Sequence, residues 1–208
     1  MATLHILPPK PFYLVRHGQS EANLQRIAAG GRIDTPLTEL GIAQAKELAA
    51  VIHHLPVKPS RIYHSPLQRA KHTADHINAA LGLDMVEIDN LKEHIYGDWE
   101  NVHWDAIKPL MAEGINPPNG ETYNEFAARV RSAITQALTP PHSAPPMLVA
   151  HGGVFDSIGH LYGIKFGRIG NCALFYFEPV KNETTFPWTI TILSPCPKNG
   201  LRGETFRS

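Results

Sequence analysis

Two stretches of this chain share one arrangement: an apolar run, a histidine, a glycine, then residues of helical character. In the first, Phe12 to Val15 lead into Arg16-His17-Gly18; in the second, Met147 to Ala150 lead into His151-Gly152-Gly153. A short apolar run reads as a buried strand, and glycine punctuates its end. In open α/β sheets the carboxyl edge of the strands is where ligands bind. Arg69 falls in the first turn of a later helix, and its side chain leans back toward that helix's start, near the end of an Arg61–His64 strand. Two guanidinium groups and two imidazoles gathered at one edge suit a tetrahedral phosphate dianion, whose oxygens match arginine's planar donor pairs. A neutral imidazole can also attack phosphorus and split one hard displacement into two easier ones. A hydrogen bond at one ring nitrogen would fix the tautomer and free the other to attack. The arginines would stabilise charge on the equatorial oxygens. An acid must then protonate the leaving oxygen, a task open to Glu93 in the charged and aromatic loop Leu91–Glu100. Singly, each residue has a plainer account: a surface Arg-His pair, a structural histidine, a solvated arginine, a solvated loop glutamate. The repeated strand-His-Gly-helix unit is what the plain accounts leave unexplained.

The elements that must position these residues follow from periodicity and caps. Thr38 caps a helix with Ala45, Leu48, Ala49 and Ile52 on one face. Ser65, with Pro66 at the first helical position, opens a helix with Leu67, Ala70, Ala74, Ile77 and Leu81 as its buried stripe. Thr122-Tyr123-Asn124-Glu125 is a capping box before a helix that turns Phe126, Val130, Ile134 and Ala137 inward. Met85–Ile88, Cys172–Glu178 and Trp188–Leu193 read as further strands, and Val154–Tyr162 as a helix. Strands alternating with helices imply an α/β fold, a largely parallel sheet with helices on both faces. One domain over residues 1–208 is expected, with its core at about 11–195 and a loose polar tail at 198–208.

Nineteen Lys+Arg balance nineteen Asp+Glu, so no bulk field points to nucleic acid or an anionic membrane. No apolar run approaches the ~18 residues of a membrane span. Residues 1–11 lack the pattern of a secretory leader, and two cysteines make no disulfide framework, so a cytoplasmic chain is expected. Oligomeric state has no signature in the sequence.

The ordered motifs resemble the histidine phosphatase superfamily, in the branch shared by cofactor-dependent phosphoglycerate mutases and small broad-specificity phosphatases. Its R-H-G signature and continuation match Arg16-His17-Gly18, Ser20 and Asn23. Its P-L-T-x-x-G segment matches Pro36 to Gly41, and S-P-x-x-R-x-x-x-T matches Ser65, Pro66, Arg69 and Thr73. Its E-x-x-x-G-x-W-E loop matches Glu93, Gly97, Trp99 and Glu100, its G-E-T matches Gly120 to Thr122, and its second H-G matches His151-Gly152. The resemblance implies His17 as the phosphorylated nucleophile and Glu93 as proton donor. Arg16, Arg69 and His151 would complete the phosphate pocket, with Asn23 and the backbone at Gly152 as supporting contacts. It implies no metal and no bound cofactor, and a mostly parallel three-layer sheet with one antiparallel edge strand.

Two positions depart from the pattern. Asn101 follows Glu100 where the small phosphatases usually carry glycine, and Gly30-Gly31-Arg32 replaces a more familiar run at the substrate mouth. Only 20 residues separate Trp99 from Gly120, where dedicated mutases carry a longer insertion. Phosphomonoester hydrolysis of a small metabolite is therefore the expected activity. A cofactor-dependent phosphoglycerate mutase, a non-catalytic phosphate or phosphoprotein binder, and a metallophosphatase are the alternatives. The last lacks an H-E-x-x-H, a paired C-x-x-C or a carboxylate cluster beside either histidine. The leaving group is expected against loops from Gln25 to Asp34, from Val102 to Asn119 and around Asn171, which offer Ile27, Ile33, Trp104, Ile107, Met111 and Tyr123.

Overall fold

The computed structural model describes residues 6–181, 183, 185–196, 198 and 200–206. Seven strands, β1 (Phe12–Arg16), β2 (Ile62–His64), β3 (Met85–Glu87), β4 (Met147–Ala150), β5 (Leu174–Pro179), β6 (Trp188–Cys196) and β7 (Gly200–Thr205), form one sheet in the order β3-β2-β4-β1-β5-β6-β7. The first four are mutually parallel, and β5, β6 and β7 each run antiparallel to the preceding neighbour. The helices are α1 (Glu21–Gln25), α2 (Glu39–Val51), α3 (Gln68–Leu81), α4 (Trp104–Ala112), α5 (Tyr123–Leu138) and α6 (Gly152–Tyr162).

Side chains alternate across a strand, and the two central strands use that to build a core on each face. Phe12 and Leu14 of β1, with Leu148 and Ala150 of β4, pack among residues of α5 and α6. Tyr13 and Val15, with Met147 and Val149, pack among residues of α2 and α3. The apolar stripes read for α3 and α5 are buried as spaced.

The register then sets the site. Arg16 pairs with Ala150 and His64 with Val149. The next residues, His17, His151 and Ser65, therefore leave three adjacent strand ends side by side. The His17 amide donates to Ala150 O (2.9 Å) and the Ser65 amide to Val149 O (3.1 Å). Glycine keeps the first turn tight. A Cβ on Gly18 would strike the Gly41 carbonyl, and one on Gly41 would strike that of Gln19, so the P-L-T-x-x-G segment is pressed backbone to backbone against the R-H-G turn.

Four expectations are corrected. The antiparallel edge is three strands wide. Within the segment expected as a loose tail, 198–208, Gly200–Thr205 instead pairs with β6, and Phe206 stacks on Phe166 with centroids 5.0 Å apart. Asn199, Arg207 and Ser208 lie outside the described residues. Arg202 and Glu204 point to solvent from an edge strand, which is why the segment reads as polar. The helix expected from Ser65 begins instead at Gln68 with Leu67 as its N-cap. Finally, Trp104–Ala112, read as loop, is α4 despite Pro109, because Ile107 and its neighbours Trp104, Leu110 and Met111 pack with Tyr96 and Trp99.

Asn101 takes φ 68° and donates its amide to Ala28 O (2.7 Å). Asparagine tolerates this left-handed conformation where most residues do not, so it performs the turn that glycine would. Asn101→Ala is expected to lose about 1 kcal/mol, a fall of roughly 2–4 °C in Tm for a chain of this size, while Asn101→Gly stays near wild type. Equal Tm for both variants would refute the backbone account.

Candidate active site

A cleft of about 900 Å³ opens at the carboxyl edge of the parallel strands, lined by Arg16, His17, Asn23, Arg69, Glu93 and Gly152 among others. His151 is fully buried beneath it, its ring 5.1 Å from that of His17, centroid to centroid. All seven residues singled out in the sequence are therefore brought together.

His17 is held by its own turn. Its Nδ1 lies 2.7 Å from Gly18 O. A carbonyl only accepts, so Nδ1 carries the proton and Nε2 keeps its lone pair. Thr73 Oγ1 accepts from the Gly18 amide (3.0 Å) and donates to Arg69 O (2.7 Å), which ties that turn to α3. Arg69, only 2% exposed, donates to Gly30 O (2.8 Å) and Ile33 O (3.1 Å). The departure at Gly30-Gly31-Arg32 is thus the loop whose carbonyls aim Arg69. Arg16 donates to Ile169 O, and its buried Nε has no protein partner among the described residues. His151 Nε2 lies 2.8 Å from Ser65 Oγ. That hydroxyl is spent on the histidine and on the Leu67 amide (3.3 Å), which is why Ser65 does not cap α3.

Glu93 receives two amides, that of His94 at Oε1 (2.9 Å) and that of Gly153 at Oε2 (3.2 Å). Gly153 leaves room for the Glu93 carboxylate, which a Cβ at that position would push aside. Asn23 serves the cap of α1 and the floor of the cleft together: its Oδ1 accepts from the Ser20 amide (3.3 Å) and from Asn171 Nδ2 (3.0 Å). Of the six apolar residues expected around a leaving group, Ile27 and Trp104 line the cleft and Ile33, Ile107, Met111 and Tyr123 do not. Ile107 is core, and Met111 and Tyr123 surround a separate cavity of about 130 Å³.

Burial and the two arginine charges push the pKa of His17 well below the ordinary imidazole value; burial, Arg69 and the neighbouring imidazole do the same to His151. Both rings are neutral at pH 7, the form that can attack or accept. Asp156, one turn into α6 on the cleft wall, is pushed up to about 6 by desolvation and by Glu93, against the pull of Arg16.

The sequence profile described as histidine phosphatase superfamily, branch 1, matches residues 12–182. The chain belongs to that superfamily. A Hydrogenobacter thermophilus protein provisionally named phosphoserine phosphatase 2 is 38% identical over 159 residues, 72% of this chain and 76% of that one. The adenosylcobalamin/alpha-ribazole phosphatase of Salmonella typhimurium is 34% identical over 154 residues, 69% and 75% of the two chains. A mycobacterial glucosyl-3-phosphoglycerate phosphatase solved with VO3 superposes with a TM-score of 0.73 at 26% identity, covering 87% of this chain and 97% of that one.

Several residues of this histidine phosphatase site went unread in the sequence. Ser65 looked like a cap, and its partner His151 is 86 residues away. Asn171 stands in a loop with no motif of its own, and it donates to His17 O (3.1 Å) and Asn23 Oδ1. Lys108, Arg168 and Asp156 line the cleft, yet as exposed charges on helices or loops they carry no local signal. Among the described residues, no group of three His, Cys, Asp or Glu side chains could hold a metal ion, and no helix is long and apolar enough to cross a membrane.

The buried imidazoles set a pH dependence of stability for this histidine phosphatase. Their folded pKa values lie below the unfolded value of about 6.5. As pH falls through 6.5 the unfolded chain takes up protons first, so stability present above that pH is lost toward the folded values. The slope is up to about 1.4 kcal/mol per pH unit for each histidine. Asp156 acts in the opposite sense, since its raised folded pKa gives stability that is lost as pH rises from about 4 to about 6. Urea midpoints should therefore drop between pH 7.5 and 5.5, and a flat profile would contradict the neutral assignment.

Proposed function

We propose that this chain hydrolyses phosphomonoesters of small metabolites through a phosphohistidine at His17. The observation that carries the reading is the Nδ1–H of His17 on Gly18 O, which leaves Nε2 free at the cleft between Arg16 and Arg69. In the first step Nε2 attacks phosphorus, the bond from phosphorus to the leaving oxygen breaks, and Glu93 gives that oxygen a proton. In the second, Glu93 takes a proton from water as the water oxygen attacks the phosphohistidine, releasing phosphate and neutral His17. Arg16 and Arg69 balance charge on the equatorial oxygens in both steps. No metal enters this scheme.

The phosphatase names of the relatives support hydrolysis. One observation favours a mutase instead: a Yersinia pestis protein provisionally named phosphoglycerate mutase GpmB is 35% identical over 181 residues, 78% of this chain and 81% of that one. On the rim, Arg26, Lys108 and Arg168 would accept a carboxylate or second phosphate on the leaving group. The deciding experiment is a phosphomonoester panel with chelator present, 3-phosphoglycerate and glycerol phosphate included, following free phosphate and phosphoryl position together. Chelator-resistant release supports the proposal. Positional transfer without release makes the chain a mutase, loss of activity with chelator makes it a metallophosphatase, and silence across the panel leaves a substrate outside the panel or a binding protein that kept the pocket.

A further inference from the structure

The proton donor stands on a segment with little regular structure: residues 89–99 hold two single turns of 3-10 helix and extended chain. Three of its backbone carbonyls around the proton donor are held by one side chain, Arg129, in the middle of α5. Arg129 donates to Asn90 O (3.0 Å), Lys92 O (3.0 Å) and Glu93 O (3.2 Å), and through Nε and Nη2 to both carboxylate oxygens of Glu121 (2.7 Å each). All five donors of the guanidinium are used. Glu121 completes the grip on the other side of Glu93. Its Oε2 accepts from the Ile95 amide (3.0 Å), its own amide donates to Ile95 O (2.8 Å), and its carbonyl lies 2.8 Å from His94 Nε2. The chain is thus pinned at 90, 92 and 93 by one member of an ion pair and at 94 and 95 by the other. The pair is about five-sixths buried and rests on Phe126, the guanidinium carbon 5.1 Å from that ring's centroid. Phe126 also flanks Gly153, whose amide meets the Glu93 carboxylate.

We propose that the Arg129–Glu121 pair is a positioning clamp for the proton donor, acting on protonation of the leaving group and not on capture of the phosphate. The proposal rests on Glu93 as the acid. Arg129 does not line the cleft, so its effect must pass through the loop it holds. A mutation that moves a reacting group by an ångström can slow the step about a hundredfold. Lysine keeps the charge, and with it the field at His151, but its three donors radiate from one nitrogen and cannot span three carbonyls and a carboxylate.

The test compares wild type, Arg129→Lys, Glu93→Gln and the double variant on glycerol phosphate, which needs a protonated leaving group, and on p-nitrophenyl phosphate, which does not. Because hydrolysis of the phosphohistidine is common to both esters, the readout is kcat/KM, which reports only the steps up to loss of the leaving group. Arg129→Lys should lower it at least about tenfold for the alkyl ester, leave it within about twofold for the aryl ester, and leave the affinity for inorganic phosphate nearly unchanged. On the Glu93→Gln background it should add little further loss. Glu121→Gln, which keeps an acceptor for the Ile95 amide, should show the same selectivity and serves if Arg129→Lys does not fold. Equal losses on both esters, or a loss undiminished in the double variant, overturn the clamp while the acid assignment stands. If Glu93→Gln itself lowers kcat/KM for both esters equally, the acid assignment fails and takes the clamp with it.

Discussion

His17→Ala is expected to lower turnover of every phosphomonoester by at least about a thousandfold, and to leave a folded protein that still binds phosphate. The scheme has no second route: water attacking directly would have to displace the leaving group without the imidazole, and no other described nucleophile has the same placement. The binding groups survive because Arg16 and Arg69 are anchored independently, by Ile169 O on one side and by Gly30 O and Ile33 O on the other. Rapid mixing of wild type with labelled substrate should trap label on the protein that is stable to base and released by acid, as expected of a phosphoramidate, and the variant should trap none. The variant should also lose part of the acid sensitivity of folding, since one of the two neutral buried imidazoles is gone. A residual rate within tenfold of wild type would mean that His17 is not the nucleophile.

What the sequence disclosed, and what it hid, divides by the range of the interaction. The strand ends at His17 and His151 are legible because a strand buried on both faces is apolar throughout and its ligand-bearing end is not. Arg69 is legible because one helical turn fixes its direction. The same local logic misreads Ser65. A serine before Pro66 is a good cap by local rules, and only the parallel pairing of β2 with β4 brings His151 to claim its hydroxyl. Arg129 is hidden for a related reason. On a helical wheel it is one more polar-face arginine, and its backbone partners lie 36 to 39 residues earlier in the chain. The edge strand Gly200–Thr205 is hidden by composition, because its one apolar anchor in contact with the core, Leu201, stands among residues that meet solvent. Asn101 shows the converse. It departs from the resemblance in residue type yet keeps the backbone angle the turn requires.

Glu93→Gln should separate the acid from the phosphate pocket. The amide keeps the size of the side chain and one oxygen to accept from the His94 or Gly153 amide, so the loop keeps its course. What it loses is the transferable proton, worth about 10²–10⁴ in rate where the leaving oxygen needs one. In kcat/KM, which excludes the shared hydrolysis of the phosphohistidine, alkyl phosphates should therefore fall by that factor, while an activated aryl phosphate falls less than about tenfold. Gly153→Ala should follow the same pattern by a different cause, because its methyl displaces the carboxylate instead of neutralising it. The direction of KM distinguishes this from simple damage. The Glu93 charge is felt by both Arg16 and Arg69, and removing it leaves those cations less compensated. A phosphate dianion should then bind as well or more tightly, so KM should hold or fall as kcat drops. A rise in KM with equal losses on both ester types would mean that Glu93 shapes the pocket and that the proton comes from elsewhere, with Asp156, raised to about 6 on the same wall, the next carboxyl to substitute.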